Sequence, residues 1–568
     1  MKPNAFVNRL LTYAYNLRTG DRFVLFVLAG VVFISLIWVI LAANKEISTD
    51  VPTRGGTFTE GIVGTPRFVN PVLALTSADK DVSQLIYAGL TRLSSDGTIV
   101  PDIAASVTIS DDGLVYNVIL RQDVSFHDNE SLTAEDVAFT IEHIQDPLIA
   151  SPLRASWDGV TLEVLGDYEL NFILEEPYAP FIENLTVGIL PKHIWGETSA
   201  EEFPFSQYNS EPIGAGPYKI KHIIRDGGVP SSYVLIPFNA YHGTPAKIST
   251  FVLSFFANEA RRVEAFNKGT IDGAAHIDPS LLTPDKDTPF RITTTTLPRT
   301  FAVFFNQNKS EVLRDIYVRR ALNVALDREA LVDRVLDGYG QPLTGPIPYG
   351  FGVSVKESTS ITSSLDDARD ILRTGGWRLN EETGTWEKEE DDEVIELRVS
   401  ISTANSPLFE ETAQIIQETW EQLGVSVEVK RFEQSDLTQA VIRPREYETL
   451  LFGTVLGRAL DLYSFWHSSQ RNDPGLNVAL YANITADAAL TTARTSTDET
   501  GRIAALEEFA AEVTSDVPAI FLFSPQFVYV LPEEVTITPF TGLGESHERF
   551  AHIAEWYMDT NFIWTFLK

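Results

Sequence analysis

His547 and His552 are the closest approach in this chain to a paired-imidazole metal site; Glu548-Arg549-Phe550-Ala551 lies between them. A zinc-binding helix carries its histidines four residues apart, on one face. Five apart, at 100° per residue, two side chains diverge by roughly 140° and cannot share an ion. No Gly-x-Ser-x-Gly occurs, so no nucleophile elbow is encoded. Gly214-Ala215-Gly216 is followed by Pro217 and lacks the third glycine of a dinucleotide or phosphate loop. The adjacent acids Asp111-Asp112 and Asp391-Asp392 fall where turns are expected and read as surface acids. With no cysteine, disulfides, thiolate nucleophiles, zinc–thiolate sites, iron–sulfur clusters and a lipid-modified cysteine are all excluded. No catalytic residues, metal or cofactor are expected.

The elements that would position any site begin with a long apolar run. Phe23 to Ala43 is 21 residues without a charge. As a helix it spans roughly 30 Å, the thickness of a bilayer's hydrocarbon, and it exceeds the usual signal-peptide core. Lys2, Arg9, Arg18 and Arg22 precede or flank it against the single acid Asp21. The positive-inside rule therefore puts the N-terminus in the cytoplasm and everything after Asn44 outside. Lys45 to Arg54 reads as a short polar linker.

The chain of 568 residues is too long for one core, and with 44% hydrophobic and 11% aromatic residues it has material for several. Its 44 basic against 78 acidic residues, net −34, are spread along the chain and repel phosphate backbones, which excludes nucleic acid as a partner. Thr57 to Val63 reads as a strand, and Asp79 to Leu90 as a helix capped by Ser77 with Gly89 near its end. Val107 to Arg121 predicts a hairpin around Asp111-Asp112-Gly113, and Val160 to Leu174 another across Gly166-Asp167. Thr133 opens a helix whose early acids Glu135 and Asp136 suit its dipole. Farther on, Ile395, Leu397, Val399 and Ile401 alternate with polar residues. Phe409, Ala413, Ile416, Trp420 and Leu423 form a helical stripe ending at Gly424, and Val425, Val427 and Val429 alternate again. This is a βαβ unit. The acidic tract Glu387 to Glu393 before it reads as a solvated loop.

Several segments, in order, resemble the family 5 extracellular solute-binding proteins, the oligopeptide/dipeptide-binding components of ABC importers. They are GGTFTEG (55–61), QLIYAGLTRLSSDGTIVPDIAAS (84–106), SDDGLVYNVILRQDVSFHDNESLTAEDVAFT (110–140), PIGAGPYKI (212–220), FNAYHG (238–243), NKGTIDGA (267–274), VRRALNVALDREALVDRVLDGYGQP (318–342), and DLYSFWHSSQ (461–470) with GLNVALYAN (475–483). The family's FHDG turn stands here as Phe126-His127-Asp128-Asn129, Asn being the residue besides Gly that best tolerates positive φ. Its frequent Gly-Trp stands as Gly453-Thr454.

The resemblance implies an α/β, two-lobed periplasmic-binding-protein-like fold of type II, with an extra inserted domain and one preceding transmembrane helix. Residues 1–53 would be cytoplasmic N-terminus, anchor (23–43) and linker. Residues 54–86, 211–295 and 516–568 would form a discontinuous lobe 1, residues 87–210 its hairpin-rich insert, and residues 296–515 lobe 2. Crossovers are expected near Thr293 to Phe305 and Val517 to Val530, leaving closure as a hinge motion. The implied protein is a membrane-anchored, extracytoplasmic monomer that captures peptides and delivers them to ABC permease subunits. The alternatives are a module for a non-peptide solute and an extracytoplasmic sensor or interaction domain. A buried site must pair a peptide's amine and amides, and an acid on one lobe can hold the amine. The implied ligand contacts are Thr76, Ser77, Asp461, Tyr463, Trp466 and Phe523. All but Thr76 also have a structural reading: cap or turn for Ser77 and Asp461, core packing for Tyr463, Trp466 and Phe523. His127 is expected to be a structural turn residue.

Overall fold

The computed structural model describes residues 18–283, 289–353, 363–390 and 392–564. The chain divides into two units, 1–56 with 557–568, and 57–556. In the smaller unit a 29-residue helix, Thr19–Ile47, contains the apolar run. Its large side chains, Phe23, Phe26, Phe33 and Trp38 among them, are exposed. Among the described residues no helix is long and apolar enough to cross a membrane, the described side chains of this one running unbroken only from Phe23 to Val39. Residues 45–54, expected as a linker, are not irregular: the helix runs to Ile47 and Ser48–Thr53 is a strand. It pairs antiparallel with Asp559–Trp564, Ser48 opposite Trp564 and Thr53 opposite Asp559. A partner so distant in sequence leaves no local signal.

In the larger unit a mixed sheet, 12 strands among the described residues, carries most of the fold. On one side run Tyr218–Asp226, Val229–Pro237, Ile248–Phe256, the strand ending at Val63, and Gly273–Ala275. On the other run Arg299–Phe305, Thr449–Val455, Arg398–Ala404 and Ser426–Phe432. Ala519–Pro532 joins them. One end pairs with Arg299–Phe305, Phe304 opposite Ala519; the other pairs with Phe290–Thr296, Phe290 opposite Pro532. Among these strands, 290–305 and 519–532 lie along both halves.

Arg398–Ala404 and Ser426–Phe432 are parallel, Arg398 opposite Ser426, and are connected by the helix Pro407–Leu423. The βαβ unit is therefore present, but its first strand starts at Arg398, not at Ile395. From Val399 to Ala404 every side chain is buried, so polarity alternates without exposure alternating. Ser400, buried, bonds the Glu448 carboxylate at 2.8 Å through both its amide and its hydroxyl. The acidic tract is likewise no loop: Trp386–Glu390 pairs with Glu393–Glu396, Glu390 opposite Glu393. Asp392 takes φ 64°, a conformation Asp tolerates; Asp391 lies outside the described residues.

Residues 104–174 contain an antiparallel four-stranded sheet in the order Ala104–Ile109, Val115–Leu120, Glu169–Leu174, Val160–Gly166. The first hairpin turns at Gly113, φ 71°. Thr133 and Asp136 form a capping box on the helix Ala134–Gln145. Asn129 has φ 74°, so the FHDN turn keeps its shape without glycine. His127 ties this turn to the Gly214-Ala215-Gly216 segment. Its Nε2 lies 3.1 Å from the Gly216 carbonyl and its Nδ1 accepts from the Gly214 amide at 3.4 Å. Burial pushes the imidazole down to about 4, so the ring is neutral and can do both. At Gly214 and Gly216 a Cβ would collide with the Ile86 backbone, which explains glycine at both positions.

Candidate binding site

The helix Ser77–Ile86 places the first wall. Its N-cap is Thr76, not Ser77: the Thr76 hydroxyl accepts from the Asp79 amide at 3.1 Å, and the Thr76 amide donates to Asp79 at 3.0 Å. The other Asp79 oxygen accepts from the Arg67 and Phe68 amides at 2.6 and 2.8 Å. The helix stops at Ile86 rather than Leu90, because residues beyond it extend to meet a neighbouring segment, Gly89 bridging to Gly188. Thr76 and Ser77 are exposed at its start.

The second wall is the C-terminal turn Ser546–Phe550, fastened from beneath. Arg549, 2% exposed, donates to Asp81 at 2.7 and 2.8 Å and to Glu60 at 3.0 Å, and the Tyr529 hydroxyl donates to Glu60 at 2.7 Å. One guanidinium thus faces two buried carboxylates, and burial holds Glu60 above the usual carboxylate range despite Arg549. This cluster fixes the turn that presents Glu545, His547 and Glu548.

The third wall is the loop after Thr449–Val455. Gly457 (φ 71°) and Leu460 (φ 51°) bend it so that Arg458 and Asp461 reach different partners. Arg458 donates to the Gly542 carbonyl at 2.5 Å and to the Glu548 carboxylate, and its Nε lies 3.8 Å from Glu183. Burial pushes Glu183 up to about 7; Arg458 opposes the shift and Glu548 adds to it. Asp461 accepts from the Tyr178 hydroxyl at 3.2 Å and from the Tyr463 amide at 3.3 Å, and lies 3.8 Å from Arg494. The Arg494 guanidinium sits 4.6 Å from the Tyr463 ring centre and 5.2 Å from that of Tyr178. Its carbonyl accepts from the Ala179 amide at 2.9 Å. Residues 458–494 are thus sewn to residues 178–183 by charge, cation–π and backbone contacts.

These walls enclose a cavity of about 330 Å³, lined by Lys80, Tyr87, Glu183, Arg458, Glu545 and Glu548 among others. Lys80 pairs with Glu545 at 2.5 Å. The His547 side chain, 3.4 Å away, and then Lys80 hold Glu545 down to about 2 against burial.

None of Thr76, Ser77, Asp461, Tyr463, Trp466 and Phe523 lines this cavity. The structure brings Asp461 and Tyr463 together at the seam beside it. Trp466 is 3% exposed and packs on Phe304, Phe509 and Phe521; Phe523 is 0% exposed and stacks on Phe301 at 4.9 Å. Both are core side chains here. Arg458, Glu183 and Glu548 escaped the sequence reading. Arg458 stands three residues before Asp461, outside the segment DLYSFWHSSQ, and nothing local distinguishes it from a surface arginine. Among the described residues no cluster of three or more His, Cys, Asp or Glu could hold a metal ion.

Two α/β halves joined by paired crossing strands, with a polar cavity where loops of one half meet the other, define a two-lobed binding protein. The model of the bacterial extracellular solute-binding proteins, family 5 (Middle), matches residues 98–475, and the chain belongs to that family. It is an extracytoplasmic binding protein and not an enzyme. It is 27% identical over 515 residues to the oligopeptide-binding protein AppA of Bacillus subtilis, covering 87% of this chain and 90% of that one. The solved structure of AppA from Bacillus subtilis in complex with a nonapeptide is similar at TM-score 0.65 and 25% identity, over 90% of this chain and 100% of that one. NikZ from Campylobacter jejuni in complex with Ni(L-His) is similar at TM-score 0.65 and 27% identity, over 88% and 99%.

Proposed function

We propose that this protein is a membrane-anchored receptor that captures peptides by closing two lobes and delivers them to the permease of an ABC importer. The observation that carries this is the charged seam over a cavity: Arg458 reaches across to Glu183 and Glu548 beside a space of about 330 Å³. Capture by closure requires such contacts, made only when the halves meet, because a ligand shifts a population only by its differential affinity for the two states.

Lobe 1 comprises 54–86, 211–295 and 516–568, its insert 87–210, and lobe 2 296–515. The joined strands 290–305 and 519–532 support a hinge at the boundary. Glu183 and Glu548 hold the ligand's amine. Thr76 and Ser77 form the exposed lobe-1 edge of the site. Asp461 and Tyr463 hold the closing seam, and Trp466 and Phe523 pack behind it. The 21 uncharged residues from Phe23 to Ala43, inside a helix with exposed apolar side chains, support a single-pass anchor.

Isothermal calorimetry of the full chain in detergent with a di- to pentapeptide library tests the assignment. Saturable heat with free-amine peptides, lost when the amine is acetylated, is the expected result. Absence of heat with every peptide would remove the peptide class.

A further inference from the structure

A second pocket, of about 180 Å³, adjoins the first: Arg92, Asp102, Tyr241 and Ala551 line both. It holds a deeply buried imidazole with an unpartnered nitrogen. The His242 side chain is 1% exposed, and its Nε2 lies 3.0 Å from Asp102 Oδ1. A carboxylate only accepts, so Nε2 carries the proton, and in the Nε2–H tautomer Nδ1 bears a lone pair. That Nδ1 is buried with no hydrogen-bond partner in the protein. Neither ring nitrogen of His552, which also lines the pocket, has a hydrogen-bond partner, although Glu555 lies 3.6 Å from Nδ1.

Neighbouring groups do not relieve His242. Arg121 is engaged by Asp123 at 2.8 Å and by the His242 carbonyl at 3.1 Å. Arg92 lies 3.8 Å from Asp102. The Tyr241 ring packs against the imidazole at 4.5 Å. A buried acceptor without a donor is destabilising, so a ligand that supplies the donor is favoured. A single water needs only roughly 10–15 Å³, so the pocket is far larger than a structural water requires.

We propose that this pocket is an extension subsite: a peptide that fills the first cavity continues past Tyr241 and donates a backbone N–H to His242 Nδ1. The inference rests on the peptide assignment above and narrows it to ligands longer than a dipeptide. A peptide suits the site because every residue after the first, proline excepted, brings one N–H donor.

Calorimetry of the full chain with alanine peptides of two to six residues tests it. Affinity is expected to rise at least tenfold once the chain reaches the second pocket. Methylating the peptide nitrogens one at a time is expected to abolish that gain at a single position. His242→Phe, which keeps an aromatic ring and removes the lone pair, is expected to lose both the gain and the methylation effect while binding dialanine as before. The length series and the methylation scan use the unaltered chain, so they decide the matter even where the variant does not fold. Equal affinity for all lengths, with no sensitive nitrogen, means a water-filled pocket and overturns the inference while leaving peptide binding intact. No binding at any length overturns both.

Discussion

At the scale of single residues, the carboxyl of Glu183 has the clearest consequence. Its proton is held up to about 7 in the folded chain against 4.5 ordinarily, chiefly by burial. Between those values the folded state binds a proton that the unfolded state has released, so stability falls as pH rises through this window and levels off above it. Glu183→Gln removes the slope. Thermal denaturation of both chains across this range is expected to show the difference in melting temperature, unaltered chain minus variant, falling as pH rises and flat above about 7. His127 gives a second test. His127→Ala strips the Gly214 amide of its buried acceptor and should cost about 1–3 kcal/mol in a denaturant titration. The folded ring stays neutral down to about 4 while the unfolded one takes up a proton near 6.5, so the unaltered chain loses stability as pH falls and the cost of His127→Ala should be larger at pH 8 than at pH 6.

At the scale of elements, the Ser546–Phe550 turn depends on Arg549 for its place. Truncating that side chain leaves two buried carboxylates, Glu60 and Asp81, without their cation. Arg549→Met is expected to lose about 3–5 kcal/mol by chemical denaturation, while Arg549→Met combined with Asp81→Leu and Glu60→Gln recovers part of it. A variant series in which all three changes simply add would refute the coupling. The GAG segment belongs to the same scale. Gly216→Ala pushes a methyl into the backbone at Ile86, where the Ser77–Ile86 helix ends. It should lower the melting temperature and the cavity's affinity together, since that helix also carries Lys80.

At the scale of the whole molecule, closure and anchoring are the testable properties. If the seam stores part of the closing free energy, Arg458→Ala with Tyr178→Phe should leave the ligand-free chain more open. Solution scattering is expected to give a larger radius of gyration for the variant without ligand and a smaller gap between the two chains with it. Identical profiles would refute the seam's role. For the anchor, vesicle flotation of the full chain should fail after Val31→Arg with Ile34→Arg, because charges at the centre of a membrane helix cost about 2.5–3.5 kcal/mol each on insertion scales. The smaller unit's ribbon, Ser48–Thr53 with Asp559–Trp564, is independent of this test.

What the sequence by itself determined was local or ordered along the chain. The apolar run, the hairpin at Gly113, the capping box at Thr133 and the βαβ spacing all depend on neighbours within a few residues, where steric and hydrogen-bonding preferences act directly. The order of the motifs was enough to place the chain in its family. The tertiary structure alone decided which charges meet. Arg458 beside Glu183 and Glu548, Arg549 beneath Glu60 and Asp81, and the strand that replaced the 45–54 linker are pairings across tens to hundreds of residues. Desolvation and distance set their energies, and neither is a property of a sequence window.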